Sequence, residues 1–344
     1  MNRSHRYFLR VACALCGGVV AATCIASPSP AAEPDPHAPR FVTTWGKEGI
    51  EPGEFHFPIG IAITREDEIL ITDHYNDRVQ KFDRAGKLLG HFAVLPSPGG
   101  IALDKDGNIY LSHFPASTIN KETHPDRLSV YSPNGKLLHE WGKSGPGPGE
   151  FNYPGGMAVA PSGRLYIADQ TNHRIQVLDL AGKFLSTWGR HGTKPGEFGG
   201  KTNVKSRAGG PDFIAIDSRG NIYTTEAMDG RVQKFTADGT FLSAFGDLED
   251  RPGGFGREFK PIPSMHGPIA ICCDREDRLW ISAAGGRVQQ FTGDGKYLRG
   301  LGEEQGSEAG QFLAPHGVAL DSHGDLYVVD AYNHRIQKFD TTEQ

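Results

Sequence analysis

Cysteine is scarce in this chain: five in 344 residues, of which Cys13, Cys16 and Cys24 fall in the first 32. The other two, Cys272 and Cys273, are adjacent. Neighbours on a strand point to opposite faces, so a disulfide between them would distort the backbone. They read as buried apolar fillers. No Cys-x-x-Cys spacing occurs beyond residue 32, which leaves no cysteine framework for a metal. No G-x-S-x-G occurs either, so a serine nucleophile elbow is not signalled. Basic residues are outnumbered, 36 Lys and Arg against 41 Asp and Glu, for a formal charge of −5. The first 32 residues carry three arginines and no acid, so the remainder stands near −8. An acidic surface repels phosphate backbones, and nucleic acid is not expected as a partner.

Long apolar runs are missing apart from residues 11–26, which are too short to span a bilayer comfortably. That stretch follows Arg3, Arg6 and Arg10 and precedes a small, Pro-rich segment at 27–32, the layout of a secretory leader. Cleavage is expected between Ala26 and Ala32, with residues 33–40 as a short linker. Cys24 follows Ala21-Ala22-Thr23, a poor match to a lipoprotein signal, and no Arg-Arg pair marks twin-arginine export. The expectation is an exported monomer, periplasmic or extracellular, with no membrane contact after cleavage.

What the chain has is repetition. Six copies of one pattern begin at Pro58, Pro98, Pro154, Pro211, Pro268 and Pro315, spaced 40 to 57 residues apart. The best-formed copy reads PHGVALDSHGDLYVVDAYNHRIQKFD from Pro315. Repeats of this length containing several short strands indicate a solenoid or propeller. Each copy decomposes into an apolar strand, a D-x-x-G turn, a second strand, a polar turn and a third strand. Asp bonds its own backbone two residues on and Gly supplies positive φ, so D-x-x-G predicts a tight hairpin. A further turn such as Asp83-Arg84-Ala85-Gly86 leads to a fourth strand. The second strands are apolar at successive positions, which predicts sheets covered on both faces, as blades around an axis are. The last copy stops without a fourth strand, and residues 41–46 (FVTTWG) match the fourth strands at Leu138 and Leu185. The fold expected is therefore all-β: a six-bladed propeller of four-stranded antiparallel blades over residues 41–344, its last blade closed by the N-terminal strand.

The pattern P-x-G-[IV]-A-[IL]-D-x-x-G-x-[IL]-Y-[IV]-x-D-x-x-N-x-R-[IV]-Q-x-F resembles the NHL repeat, and the resemblance covers about residues 41–340. It implies the propeller architecture. Some cytoplasmic NHL propellers bind RNA through a basic face, which the acid balance here does not offer. Activity is not implied, because function sits in sites grafted on the fold.

In a propeller, the connections between blades and those between second and third strands share one face. Here they are long: residues 112–127, 189–210 and 246–267. The turns on the other face are short and uniform. Loops carry function on a rigid scaffold, so the loop face is expected to bind. Two rings of residues are expected at its mouth. One follows each leading proline: Ile59, Gly99, Gly155, Asp212, Ile269 and His316. The other ends each second strand: Asp73, His113, Asp169, Glu226, Ala283 and Asp330. The repeating Asp-x-x-Asn-x-Arg also suits a structural role, the Asp accepting turn N–H groups and pairing with Arg. Gly99 and Gly155 are expected to leave the mouth wide and unlined on their side.

Enzyme readings were weighed on the same residues. The chain is similar in pattern to peptidyl-α-hydroxyglycine α-amidating lyase, whose zinc is held by His residues after Pro at first-strand starts. Only His316 occupies such a position here; Asp212 would be a lone carboxylate, and His113 and His266 lie elsewhere in the repeat. Catalytic zinc takes three protein ligands in most sites. Lactonases of the gluconolactonase and paraoxonase type hold calcium in the channel with Glu, Asn and Asp, where this chain has mostly Gly and Ile. The expectation is a non-enzymatic scaffold with no cofactor. Its ligand would be a protein, peptide or small molecule at His316, Asp212, His113, Asp73, Asp169, Glu226, Asp330 and His266. The alternative is a zinc- or calcium-dependent lyase or hydrolase using His316. Trp45, Trp141 and Trp188, each before a Gly in a fourth strand, read as packing residues.

Overall fold

The computed structural model describes residues 38–115, 124–200, 209–262 and 266–342. Residues 1–32, where a leader is expected, lie outside them. The described chain forms six four-stranded antiparallel sheets arranged as a β-propeller. The first blade is β2 (Pro58–Ile63), β3 (Ile69–Asp73), β4 (Arg78–Phe82) and β5 (Leu88–Ala93). The second is β6 (Pro98–Leu103), β7 (Ile109–His113), β8 (Arg127–Tyr131) and β9 (Leu137–Trp141). The third is β10 (Pro154–Val159), β11 (Arg164–Asp169), β12 (Arg174–Asp179) and β13 (Phe184–Trp188). The fourth is β14 (Ile214–Ile216), β15 (Ile222–Glu226), β16 (Arg231–Phe235) and β17 (Phe241–Phe245). The fifth is β18 (Pro268–Cys273), β19 (Leu279–Ala283), β20 (Arg287–Phe291) and β21 (Tyr297–Leu301). In the sixth sheet β22 (Pro315–Leu320), β23 (Leu326–Asp330) and β24 (Arg335–Asp340) are followed by β1 (Arg40–Trp45). Phe41 lies opposite Phe339 and Trp45 opposite Ile336.

The hydrophobic core is divided among the blade interfaces. One cluster joins Ile69, Ile71 and Phe82 of the first blade to Tyr327, Val329 and Ile336 of the sixth. Another joins Leu70, Val79, Leu111 and Tyr131 of the first two blades. Every residue of β3 is buried, because one face meets the sixth blade and the other the second. This explains the unbroken apolar second strands, each full burial of a large aliphatic contributing about 1.5–3 kcal/mol.

The outer-strand aromatics pack as expected. A Cβ on Gly86 would stand 2.6 Å from the Trp45 ring, and one on Gly182 would stand 2.4 Å from Trp141. The turn glycine of one blade is thus the seat for the tryptophan of the blade before it. Gly86 also has φ +84°, so the position requires glycine twice over.

Five of the six first strands carry a register shift just after the leading proline, as between Pro58 and Ile61. Such a bulge bends the strand and re-aims its side chains. The residue ahead of each proline is left-handed: Phe57, Ser97, Tyr153 and Ala314 at φ 61°, 58°, 55° and 45°, with Gly210 and Gly267 in the remaining two blades.

Candidate functional site at the loop-face end of the channel

The bulged first strands bring their second residues to one end of the central channel. Hydroxyls hold them there. Thr72 Oγ1 accepts from Gly60 N at 2.7 Å and donates to Gly99 O of the next blade at 2.8 Å. Ser112 links Gly100 N to Gly155 O at 2.9 and 2.8 Å. Ser282 links Ala270 N to His316 O at 3.0 and 2.6 Å. Between the third and fourth blades, where Ala168 offers no hydroxyl, Gly156 N donates directly to Asp212 O at 2.7 Å. The rim is therefore tied blade to blade.

The second ring of expected residues is not at the rim. Asp73, Asp169 and Asp330 are each 0% exposed and Glu226 1%. Asp73 accepts from His56 N, Asn76 Nδ2, Arg78 Nε and Gln80 Nε2 at 2.7, 2.9, 2.8 and 3.2 Å. Asp169 and Asp330 repeat this set with Asn172, Arg174 and Gln176, and with Asn333, Arg335 and Gln337. Glu226 substitutes for Asp with Arg231, Gln233 and Gly199 N. Burial pushes all four carboxyls up, opposed by these donors. They hold the link that precedes each blade onto its turn and present no free atom to a ligand.

His113 fills the same place in the second blade and is also fully buried. Its Nδ1 donates to Pro96 O at 2.9 Å and its Nε2 accepts from Ser129 Oγ at 2.6 Å. Desolvation lowers it to about 3. It stays neutral and inside the blade.

A third position, just ahead of the motif arginine, was not singled out in the sequence. There Asp77 accepts from Ser97 N at 2.8 Å, Asp126 from Tyr153 N at 2.7 Å, and His334 Nδ1 from Phe57 N at 3.1 Å. Each acceptor caps the left-handed residue before the next blade's proline. The recurring Asp-Arg or His-Arg dipeptide was the available signal.

Of the expected rim, Ile59, Ile269 and His316 are the second residues of β2, β18 and β22, and Asp212 lies two residues ahead of β14. The expectation of an unlined side is corrected. A Cβ on Gly99 would stand 2.9 Å from the Phe114 ring, and one on Gly155 would stand 2.7 Å from Gln170 Nε2. Those glycines are bare so that Phe114 and Gln170 can lie over them. Gln170 Nε2 donates to Asp212 Oδ1 at 2.9 Å, and Ala227 N donates to Oδ2 at 3.0 Å. Burial and the neighbouring Glu226 push the Asp212 carboxyl up to about 7, against the Ala227 N–H. Unlike Asp73, Asp169, Glu226 and Asp330, it has no cationic partner among the described residues.

His316 is half-buried; its Nδ1 donates to Ala314 O at 2.9 Å, and desolvation holds the ring below the usual histidine range. Its ring meets Phe57 edge-on at 5.4 Å. From Phe57 a chain of ring contacts runs along the rim: to Tyr332 at 5.1 Å, to His74 at 6.3 Å, from His74 to Phe114 at 5.6 Å, and from Phe114 to Tyr153 at 5.5 Å. Aromatics therefore line the sixth to third blades, and the Gln170–Asp212 pair follows them into the fourth. Below the rim lies a cavity of about 240 Å³ bordered by Ile61, Ile101, Met157, Phe213, Ile271 and Val318, and by Gly60 and Gly317. Cys272 and Cys273 also border it; both are free and only half-buried, where buried fillers were expected, and desolvation raises both thiols.

The channel residues do not fit a zinc or calcium ion. His113 has both nitrogens engaged and His316 one, and Asp212 offers a single carboxylate. Among the described residues no three His, Cys, Asp or Glu side chains gather in a metal-holding group. His266 is described but borders residues 263–265, which are not, and no described contact joins it to His316. The long loops at 112–127 and 201–210 fall partly outside the described residues as well.

Two larger hollows lie on the opposite face, one of about 920 Å³ beside Asp104, Lys105 and Ser162, the other of about 730 Å³ beside Arg65, Asp274 and Ser322. Sequence reasoning expected nothing on this face but short turns. Their carboxylates are engaged locally: Asp104 caps Asp106 N and Asn108 N of its own turn, both at 2.9 Å.

Sheets, bulges and turn networks of this kind define an NHL-type six-bladed propeller. The NHL repeat family matches residues 55–82, 151–178 and 312–339. Those are the blades that keep the full Asp, Asn and Arg network; the others carry His113, Glu226 or Ala283. The chain is a six-bladed β-propeller that carries NHL repeats in three of its blades. It is 23% identical over 348 residues to the E3 ubiquitin-protein ligase TRIM32 of Homo sapiens, covering 91% of this chain and 47% of that protein. It is 26% identical over 163 residues to the peptidyl-glycine alpha-amidating monooxygenase of Mus musculus, covering 41% and 15%. The chain thus spans less than half the length of these curated relatives. Among solved structures it resembles a streptogramin B lyase (TM-score 0.56, 14% identity, 88% of this chain and 98% of that one). It also resembles a gluconolactonase from Xanthomonas campestris (TM-score 0.56, 15% identity, 88% and 94%). At these identities the structural likeness speaks for the fold alone.

Proposed function

We propose that this chain is an exported binding scaffold, monomeric and without a metal, that takes a small or peptidic ligand at the loop-face end of its channel. One observation carries the reading. At that end, bulky rings occupy backbone positions where glycine is the strain-free residue: Phe57 and Tyr153 are left-handed before proline, at φ 61° and 55°. Non-glycine residues held there cost energy that the surroundings must supply, and such outliers cluster at ligand clamps. The rings follow one another along the rim above a channel cavity, and Asp212 belongs to the same rim. On the turn face, by contrast, the polar groups cap their own hairpins.

The test is a fragment screen on the purified protein by ligand-observed NMR. Hits are mapped with Phe114→Ala at the rim and Lys105→Ala on the turn face. Hits lost in Phe114→Ala and kept in Lys105→Ala support the reading. Hits that follow Lys105 overturn it.

A further inference from the structure

The geometry points to an arylalkyl ammonium ligand: a protonated amine held at Asp212, with its compact apolar or aromatic part in the channel beneath the rim. This rests on the rim being the binding site and goes further by naming the ligand's chemistry.

Three features converge on that class. Among the described residues at the starts of the first strands Asp212 is the one carboxyl, and its oxygens are held by neutral donors, Gln170 Nε2 and Ala227 N, rather than by an arginine. A carboxylate accepts more than two hydrogen bonds, so both oxygens keep acceptor capacity for a ligand N–H. Removing a carboxylate from water without a counter-charge is costly, and a bound cation relieves that cost. Directly below the rim, the space of about 240 Å³ is walled by Ile61, Ile101, Met157, Phe213, Ile271 and Val318. A benzene ring fits in a cavity of roughly 150 Å³, so the space is large enough for one. The rim that carries Asp212 also carries the aromatic arc of Phe57, Phe114 and Tyr332 over the sixth to second blades, ring faces of the kind that attract a cation. The acidic balance of the chain, −5 before the leader's arginines are removed, steers cations rather than anions towards it. An anionic ligand would meet the Asp212 carboxylate, which has no cationic partner among the described residues to offset it.

The probes are phenethylamine, n-butylamine and 3-phenylpropionate, titrated calorimetrically into the exported protein at pH 8. Phenethylamine is expected to bind, n-butylamine more weakly for want of the ring, and 3-phenylpropionate not at all. Asp212→Asn preserves shape: its amide can still accept from Ala227 N and, once flipped, donate to Gln170 Oε1. It is expected to leave Tm unchanged and weaken phenethylamine by about tenfold or more, the worth of a hydrogen bond to a charged group. Equal or tighter binding of 3-phenylpropionate overturns the inference, as does undiminished phenethylamine binding by a folded Asp212→Asn protein. If the carboxylate probe binds and Phe114→Ala abolishes it, the rim remains a site and only the amine assignment fails. If neither probe binds, the amine assignment fails and the fragment map still decides the site.

Discussion

Asp169→Ala should destabilise the propeller strongly while leaving the rim intact. In the native blade, Asp169 accepts Asn152 N, Asn172 Nδ2, Arg174 Nε and Gln176 Nε2 at 2.7, 2.8, 2.7 and 3.0 Å, with no exposure to water. Alanine removes the acceptor from four buried donors, one of them charged. Breaking one partner of a buried ion pair costs about 3–5 kcal/mol. The lower end applies, because Arg174 keeps the carbonyls of Pro146, Gly147 and Glu150 at 2.6, 2.8 and 3.0 Å. An unfolding entropy of about 2.1 cal/mol/K per residue over roughly 300 residues converts ~3 kcal/mol into about 5 °C of Tm. Differential scanning calorimetry reads this directly. The double variant Asp169→Ala, Arg174→Ala should lose less than the sum of the single losses, since the two residues share one network. A Tm within about 1 °C of the parent would refute the reasoning and return Asp169 to the list of available surface groups.

Other consequences follow from the same contacts. Arg84 bridges from the first blade to Asp321 and Asp325 of the sixth at 2.8 and 2.9 Å; Arg84→Ala should cost about 1–3 kcal/mol in chemical denaturation, and no change in midpoint would contradict the bridge. Removing residues 33–46 strips β1 from β24 and exposes a strand edge; thermal melting and light scattering should show lower stability and aggregation, and an unchanged melt would count against the pairing. His113 is neutral in the fold, lowered to about 3 from an ordinary 6.5. The folded state therefore binds fewer protons, so its contribution is complete above pH 6.5 and is lost as pH falls towards about 3. A stability profile by denaturant titration should slope down across that window, and His113→Gln should flatten it; an unaltered slope in the variant would refute the assignment.

The strand order was legible because two signals repeat. D-x-x-G fixes each hairpin, and the uninterrupted apolar second strands require cover on both faces. The motif residues Asp73, Asp169 and Asp330 were visible, and their pairing with Asn and Arg was foreseeable from the fixed spacing. Their depth was not, because burial depends on the link from the previous blade folding over them. The capping pairs Asp77–Ser97, Asp126–Tyr153 and His334–Phe57 join residues of different blades, and a single repeat read alone gives no hint of them. Phe114 and Gln170 were missed at the rim for a related reason. They lie after the second strands, and only the propeller's curvature carries them over Gly99 and Gly155. The bareness of those glycines was readable; what covers them was not.

The most direct measurement of the central claim is a crystal structure of the purified protein soaked with phenethylamine. The account predicts density at the loop-face end of the channel, the nitrogen against Asp212 and the ring towards Phe213 and Met157. Density only in the turn-face hollows beside Lys105 or Arg65, with the channel unchanged, would contradict it.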